Sequence, residues 1–98
     1  MTGERGRIDK WLWHARFYRS RASAQQAAAS GLLRLNGMRV EKPSASVQPG
    51  DIVTLPRGHD VLAVRIQALA VRRGPSPEAR KLYSIVESSV LDPAAPPS

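Results

Sequence analysis

Cysteine is absent from the 98 residues, which removes disulfide staples, thiol nucleophiles and Cys-ligated zinc and suits a reducing compartment. Acidic residues are scarce as well, eight against fifteen Lys and Arg, giving a formal net charge of +7. With a sequence pI of about 11.1, an anionic partner is expected, nucleic acid ahead of a membrane surface. No apolar run approaches the roughly 18 residues of a membrane span, and the opening MTGERGRIDK lacks the apolar stretch of a secretory signal. A cytoplasmic protein without membrane attachment is therefore expected. Two histidines far apart, His14 and His59, and eight scattered acids offer no nucleophile with a base, no carboxylate pair and no metal cluster. The expectation is a non-enzyme with no catalytic residue, cofactor or metal. A chain this short holds one domain with a modest core, and a monomer is the simplest reading.

What charge there is lies mostly in the front half. Residues 1–42 carry nine Lys or Arg against three acids, while residues 43–98 carry six against five. The electrostatic footprint is thus expected in the first half, with scaffold behind it. Four of the five aromatic residues also fall in the front half, within DKWLWHARFYRSR at 9–21, among Lys10, Arg16, Arg19 and Arg21.

Ile8, Trp11, Leu12 and Ala15 recur at i, i+3, i+4 and i+7 and predict an amphipathic helix with Asp9 at its start. Trp13 and Phe17 project from the other side, toward Lys10 and His14. They call for packing against the long strand or the C-terminal helix, or else form a surface for stacking on a base. Ser20 suits the N-cap of a second helix, RASAQQAAAS, which Gly31 can end. Its inner face is Ala24, Ala27 and Ala28; its outer arc holds Arg21 and Gln25, with Gln26 further round. LLRLNGMRV alternates about Asn36-Gly37, a strong hairpin signal, with Leu33 and Leu35 inward. A Lys42-Pro43 loop, a Pro49-Gly50 turn, a strand DIVTL, a turn PRGHD and a long strand VLAVRIQALAV follow. Ser76, Pro77 and Glu78 open a predicted third helix with the stripe Ala79, Leu82, Tyr83 and Val86. DPAAPPS has no periodicity and reads as a disordered tail.

Arg7, Ile8 and Asp9 before a helix, Ser20 and Arg21 opening the next, Gly31, the alternating Leu33 and Leu35, Asn36-Gly37, Lys42-Pro43 and Gly50-Asp51 occur in one order. That ordered set resembles the RNA-binding domain named after ribosomal protein S-four, the αL motif. DKWLW with ARFY, and Arg72-Arg73 ahead of a Ser-Pro-Glu-Ala segment, are most similar to the ribosome-associated heat-shock protein fifteen family, over Arg7 to about Val86. The sequence departs from that pattern at Ala27 and Ala28, where bulkier aliphatics are usual, and in ending on a Pro-rich stretch where the family carries a longer basic extension.

The resemblance implies an α+β fold: two N-terminal helices packed on a small, mainly antiparallel sheet with a C-terminal helix. Residues 1–6 are expected to form a flexible N-terminus, 7–90 a single domain (core motif 7–55, family-specific strand and helix 61–90), and 91–98 a disordered tail. It further implies non-catalytic binding of structured RNA across the two helices and hairpin, with ribosomal RNA of the large subunit as the partner in a stress-related or ribosome-rescue role. The expected RNA-binding residues are Arg7, Lys10, Arg16, Arg19, Ser20, Arg21, Gln25, Gln26, Asn36 and Lys42. Guanidinium forks suit successive phosphates, and the glutamines suit 2′-hydroxyls or base edges. Asp9 reads as a helix-start carboxylate orienting Arg7 or Arg21. Other readings fit the same residues: tRNA or another structured RNA, or a protein-interaction module using the Trp13/Phe17 face.

Overall fold

The computed structural model describes residues 5–70 and 72–90, with side chains as far as Val86. Helix α1 (Ile8–His14) and helix α2 (Arg21–Ala29) follow a two-residue strand, β1 (Gly6–Arg7). The apolar stripe of α1 does what its spacing requires: Ile8, Trp11, Leu12 and Ala15 are all buried. The Trp11 indole N–H, which would be costly to bury unpaired, donates to the Ala68 carbonyl at 3.1 Å. Ser20 caps α2 by accepting from the Ser23 N–H at 3.0 Å. On its inner face Ala24, Ala27 and Ala28 are buried; the small methyls let the helix lie close upon its neighbours.

The hairpin forms as its turn residues dictate. Strands β2 (Arg34–Leu35) and β3 (Met38–Arg39) flank Asn36 and Gly37, both with positive φ, at 52° and 85°. The Asn36 side chain tolerates that conformation and locks it, accepting from the Ile52 N–H at 2.9 Å and donating to Asp51 at 3.1 Å. After β4 (Ser46–Val47), which pairs with β1, come β5 (Ile52–Arg57) and β6 (Asp60–Ile66) around a tight Gly58-His59 turn. The main sheet has the order β3-β2-β5-β6-β7 and is antiparallel throughout. Val53, Leu55, Leu62, Val64 and Ile66 line its inner face and join the α1 stripe, Leu33 and Val47 in one core.

The α+β class holds, and three short helical segments are present, but the third differs from expectation. Helix α3 is a single turn, Ser76–Ala79, continued as a 3₁₀ turn over Arg80–Leu82, and Tyr83–Val90 is the strand β7 paired to β6. Leu82 and Tyr83 do face the core, which is what the helical stripe detected; the run of Ile85 and Val86 beyond them is β-branched, and β6 offers an open edge for it. A bulge between Ala63 and Val64 absorbs a residue of β7. The long strand is also shorter than its composition suggested, ending at Ile66. Gly6 lies in β1, opposite Val47, inside the segment expected to be flexible. The tail at 91–98 and residues 1–4 lie outside the described residues.

Trp11 anchors both the helix pair and the loop after β6. Replacing Trp11 by Ala is expected to remove about 3 to 5 kcal/mol of folding free energy, read as a lowered urea midpoint with an unchanged slope.

Candidate nucleic-acid interface

A carboxylate with no solvent exposure lies at the start of α1. Asp9 receives both arms of Arg7, from Nε at 3.1 Å and from an Nη at 3.0 Å, the Lys10 backbone N–H at 2.7 Å and the Gln25 amide at 3.2 Å. The Arg21 Nε stands 3.6 Å from the same carboxylate, an ion pair too long for a hydrogen bond, and has no other partner. Burial pushes the Asp9 pKa up, but the hydrogen bonds from Arg7, Gln25 and the Lys10 backbone outweigh it, and the net shift is downward. Asp9 is therefore an anion under two arginines whose side chains remain 47% and 39% exposed.

Beside this centre a shallow groove runs between α2 and the Lys42-Pro43 loop, lined by Arg7, Ala22, Gln25, Gln26, Pro43 and Ser44. Arg7, Gln25 and Gln26 line this groove, and Arg21 lies beside them through its ion pair with Asp9. Lys10 is exposed in the same first turn of α1, and Arg19 is exposed in the interhelix turn with no partner among the described residues. Lys42 is exposed where the loop meets the hairpin. Ser20 and Asn36 have fold-building duties, the first as a helix cap and the second in the turn. Arg16 points elsewhere: its backbone is left-handed, with φ 65°, and its Nε donates to the Gly74 carbonyl at 2.9 Å.

Some cations join the face without an obvious local signal. Arg73 donates from Nε to the Trp13 carbonyl at 3.2 Å, and its guanidinium sits 5.6 Å from the Trp13 ring centroid. The nearly neutral half of the sequence thereby adds a charge to α1. Arg34 and Arg39 are directly opposed across the hairpin, and the Arg39 guanidinium fills the space where a Cβ on Gly31 would lie, at the end of α2. Like charges opposed across strands cost stability, so this pair suits an anionic surface better than an isolated fold.

The aromatic side chains divide. Phe17 packs between Trp11 and Tyr83, with ring centroids 5.8 and 4.6 Å away, so it is packed as expected, but against β7, the strand that stands where a C-terminal helix was expected. Trp13 is covered by Arg73 and rests 5.2 Å from the His14 ring. The two do not form one open apolar face, which removes the main support for a protein-interaction surface there. His14 is buried; burial lowers its pKa, the nearby Lys10 charge adds to this, and a hydrogen bond to the Ala70 backbone acts in the opposite direction. Among the described residues no three His, Cys, Asp or Glu side chains are grouped to hold a metal, and no helix is long and apolar enough to cross a membrane.

The segment that holds the two helices, the hairpin and the buried Asp9 centre is an S4 domain, whose family model matches residues 6–53. Heat shock protein 15 of Escherichia coli K12 is 42% identical over 84 residues, 86% of this chain and 62% of its own length. The chain therefore spans less than two thirds of that relative. The Haemophilus influenzae homolog of heat shock protein 15 is 40% identical over 90 residues, covering 92% of this chain and 68% of the relative. The trimeric structure of Vibrio cholerae heat shock protein 15 superposes with a TM-score of 0.79 at 42% identity, over 85% of this chain and 83% of that one. This chain belongs to the heat shock protein 15 family. Its likeness extends to small ribosomal subunit protein uS4 of Acidithiobacillus ferrooxidans, 36% identical over 72 residues, 70% of this chain and 35% of that protein.

Two titrations follow from the site. His14 has its pKa depressed below its ordinary 6.5, so the stability it protects is complete above that value and declines as pH falls below it. Asp9 is depressed below 3.8, so its share persists until lower pH and is lost as the carboxylate protonates. Urea melts from pH 8 to 3 should show two separate declines; His14→Gln should remove the first and Asp9→Asn the second, the latter with lower stability at neutral pH.

Proposed function

We propose that the chain is a non-catalytic binder of structured RNA, that its RNA is ribosomal and belongs to the large subunit, and that it acts in a stress-related or ribosome-rescue role in the cytoplasm. The observation that carries the binding is the cationic surface of Arg7, Lys10, Arg19, Arg21 and Lys42 around the α2 groove. Two of its arginines, Arg7 and Arg21, are paired with a carboxylate that is itself hidden from any incoming anion. Guanidinium groups fixed in this way lose little further freedom on meeting phosphates, and Gln25 and Gln26 add neutral donors at 2′-hydroxyl range. Ser20 and Asn36 keep the backbone at the helix cap and the hairpin turn in place, and the groups their structural bonds leave over are turned to RNA.

The names of the relatives, a heat shock protein and a ribosomal protein, support a ribosome and a stress setting; the large subunit rests on the family resemblance of the motif. This reading takes the chain as a monomer on RNA. The Vibrio cholerae relative is a trimer, and light scattering of the free and RNA-bound chain decides between the two.

Arg19→Glu with Arg21→Gln, which brings no second negative charge to the buried Asp9, should strongly weaken binding to structured RNA, each lost phosphate contact costing about 1.5 to 3 kcal/mol, while circular dichroism stays native. For the unsubstituted chain the slope of log K against log salt should be about −3 to −5 if four to six phosphates are contacted, at roughly 0.7 to 0.9 each. Structured RNA should bind more tightly than duplex DNA of equal length. A flat salt dependence would contradict the reading. Crosslinking in cells followed by sequencing should recover large-subunit ribosomal RNA; enrichment of tRNA instead would keep the RNA and move the partner.

A further inference from the structure

A second cationic cavity opens at the other end of α1, and it shares no residue with the α2 groove. Arg16 from the interhelix turn, Arg57 from the end of β5 and Arg80 from the 3₁₀ turn converge on it, and Phe17, Tyr83 and Ser76 complete its wall. These arginines come from three stretches far apart in the chain. No acidic residue lines the cavity, and none of the three arginines is in an ion pair among the described residues. Arg16 is held there by its bond to the Gly74 carbonyl, which occupies Nε and leaves the outer guanidinium nitrogens unclaimed. Its left-handed backbone is unusual for a residue other than glycine, Asn or Asp.

Three like charges gathered without a counter-charge among the described residues repel one another, so the arrangement is satisfied by an anion large enough to meet several guanidinium forks. Phe17 and Tyr83, with centroids 4.6 Å apart and both half-buried, offer an aromatic wall beside those charges. We infer that this cavity binds a nucleotide, its phosphate held by Arg16, Arg57 and Arg80 and its base against the Phe17/Tyr83 wall. The nucleotide comes either from the RNA bound at the α2 groove, which would make the RNA contact bipartite, or from a free mononucleotide. The first source rests on the RNA reading; the second does not.

The test is a titration of the full chain with adenosine monophosphate, followed by amide and arginine side-chain NMR, with inorganic phosphate and adenosine as separate probes. Saturable shifts confined to Arg16, Phe17, Arg57, Ser76, Arg80 and Tyr83 are expected from adenosine monophosphate, weaker ones from phosphate, and little from adenosine. Arg57→Ala with Arg80→Ala should weaken adenosine monophosphate by about tenfold or more, with the melting temperature retained. RNA titrations of the same double variant distinguish the sources. Weaker RNA binding with a shallower salt slope assigns the site to the RNA strand; unchanged RNA binding beside lost adenosine monophosphate binding assigns it to a free nucleotide. Absence of saturable shifts, or shifts that persist in the double variant, overturns the inference. A failure of RNA binding at Arg19 and Arg21 would leave this result standing, because the mononucleotide arm reads the cavity by itself.

Discussion

The Asp9 carboxylate ties together parts of the chain that would otherwise have little reason to stay in register. It is bound by Arg7 from β1, by its own helix through the Lys10 N–H, and by Gln25 and Arg21 from α2. A buried anion of this kind is expensive to desolvate and is tolerable only while its partners remain in place. Loss of one partner leaves an uncompensated charge, so the helix pair tolerates few alternative arrangements. Alanine packing makes that constraint more important: Ala24, Ala27 and Ala28 contribute little burial, and α2 depends on its neighbours for its position.

The same bond geometry turns a structural need into a cationic surface. Arg7 and Arg21 use part of each guanidinium on Asp9 and keep the rest toward solvent. Gln26, Lys42 and the paired arginines of the hairpin extend the surface along the groove and over the end of α2. Much of the charge imbalance of the first half of the chain, Arg16 apart, is therefore gathered around one buried negative centre.

Local pattern was enough for α1, for the Asn36-Gly37 hairpin and for the part played by Asp9, because each is set by residues a few positions apart. It was not enough for β7. The spacing of Ala79, Leu82, Tyr83 and Val86 fits a helix, yet the unpaired edge of β6 captures the β-branched run that follows Leu82. The Arg73–Trp13 and Arg16–Gly74 bonds join residues about sixty positions apart and leave no trace in either segment. For that reason the sequence groups Arg16 with Arg19 and Arg21 at the interhelix turn but does not show that its side chain lines a separate cavity, and it leaves Arg73 in the nearly neutral half although that residue packs on α1.

The central claim is that Asp9 holds Arg21 ready for an anion, and a double-mutant cycle between Asp9→Asn and Arg21→Ala in RNA affinity tests it most directly. If Asp9 acts through Arg21, the two losses are not additive: once Arg21 is gone, removing the carboxylate costs much less affinity than it does in the unsubstituted chain. Additive losses, measured on variants that both remain folded, would show that Asp9 supports the fold without organising the arginine, and would contradict the account.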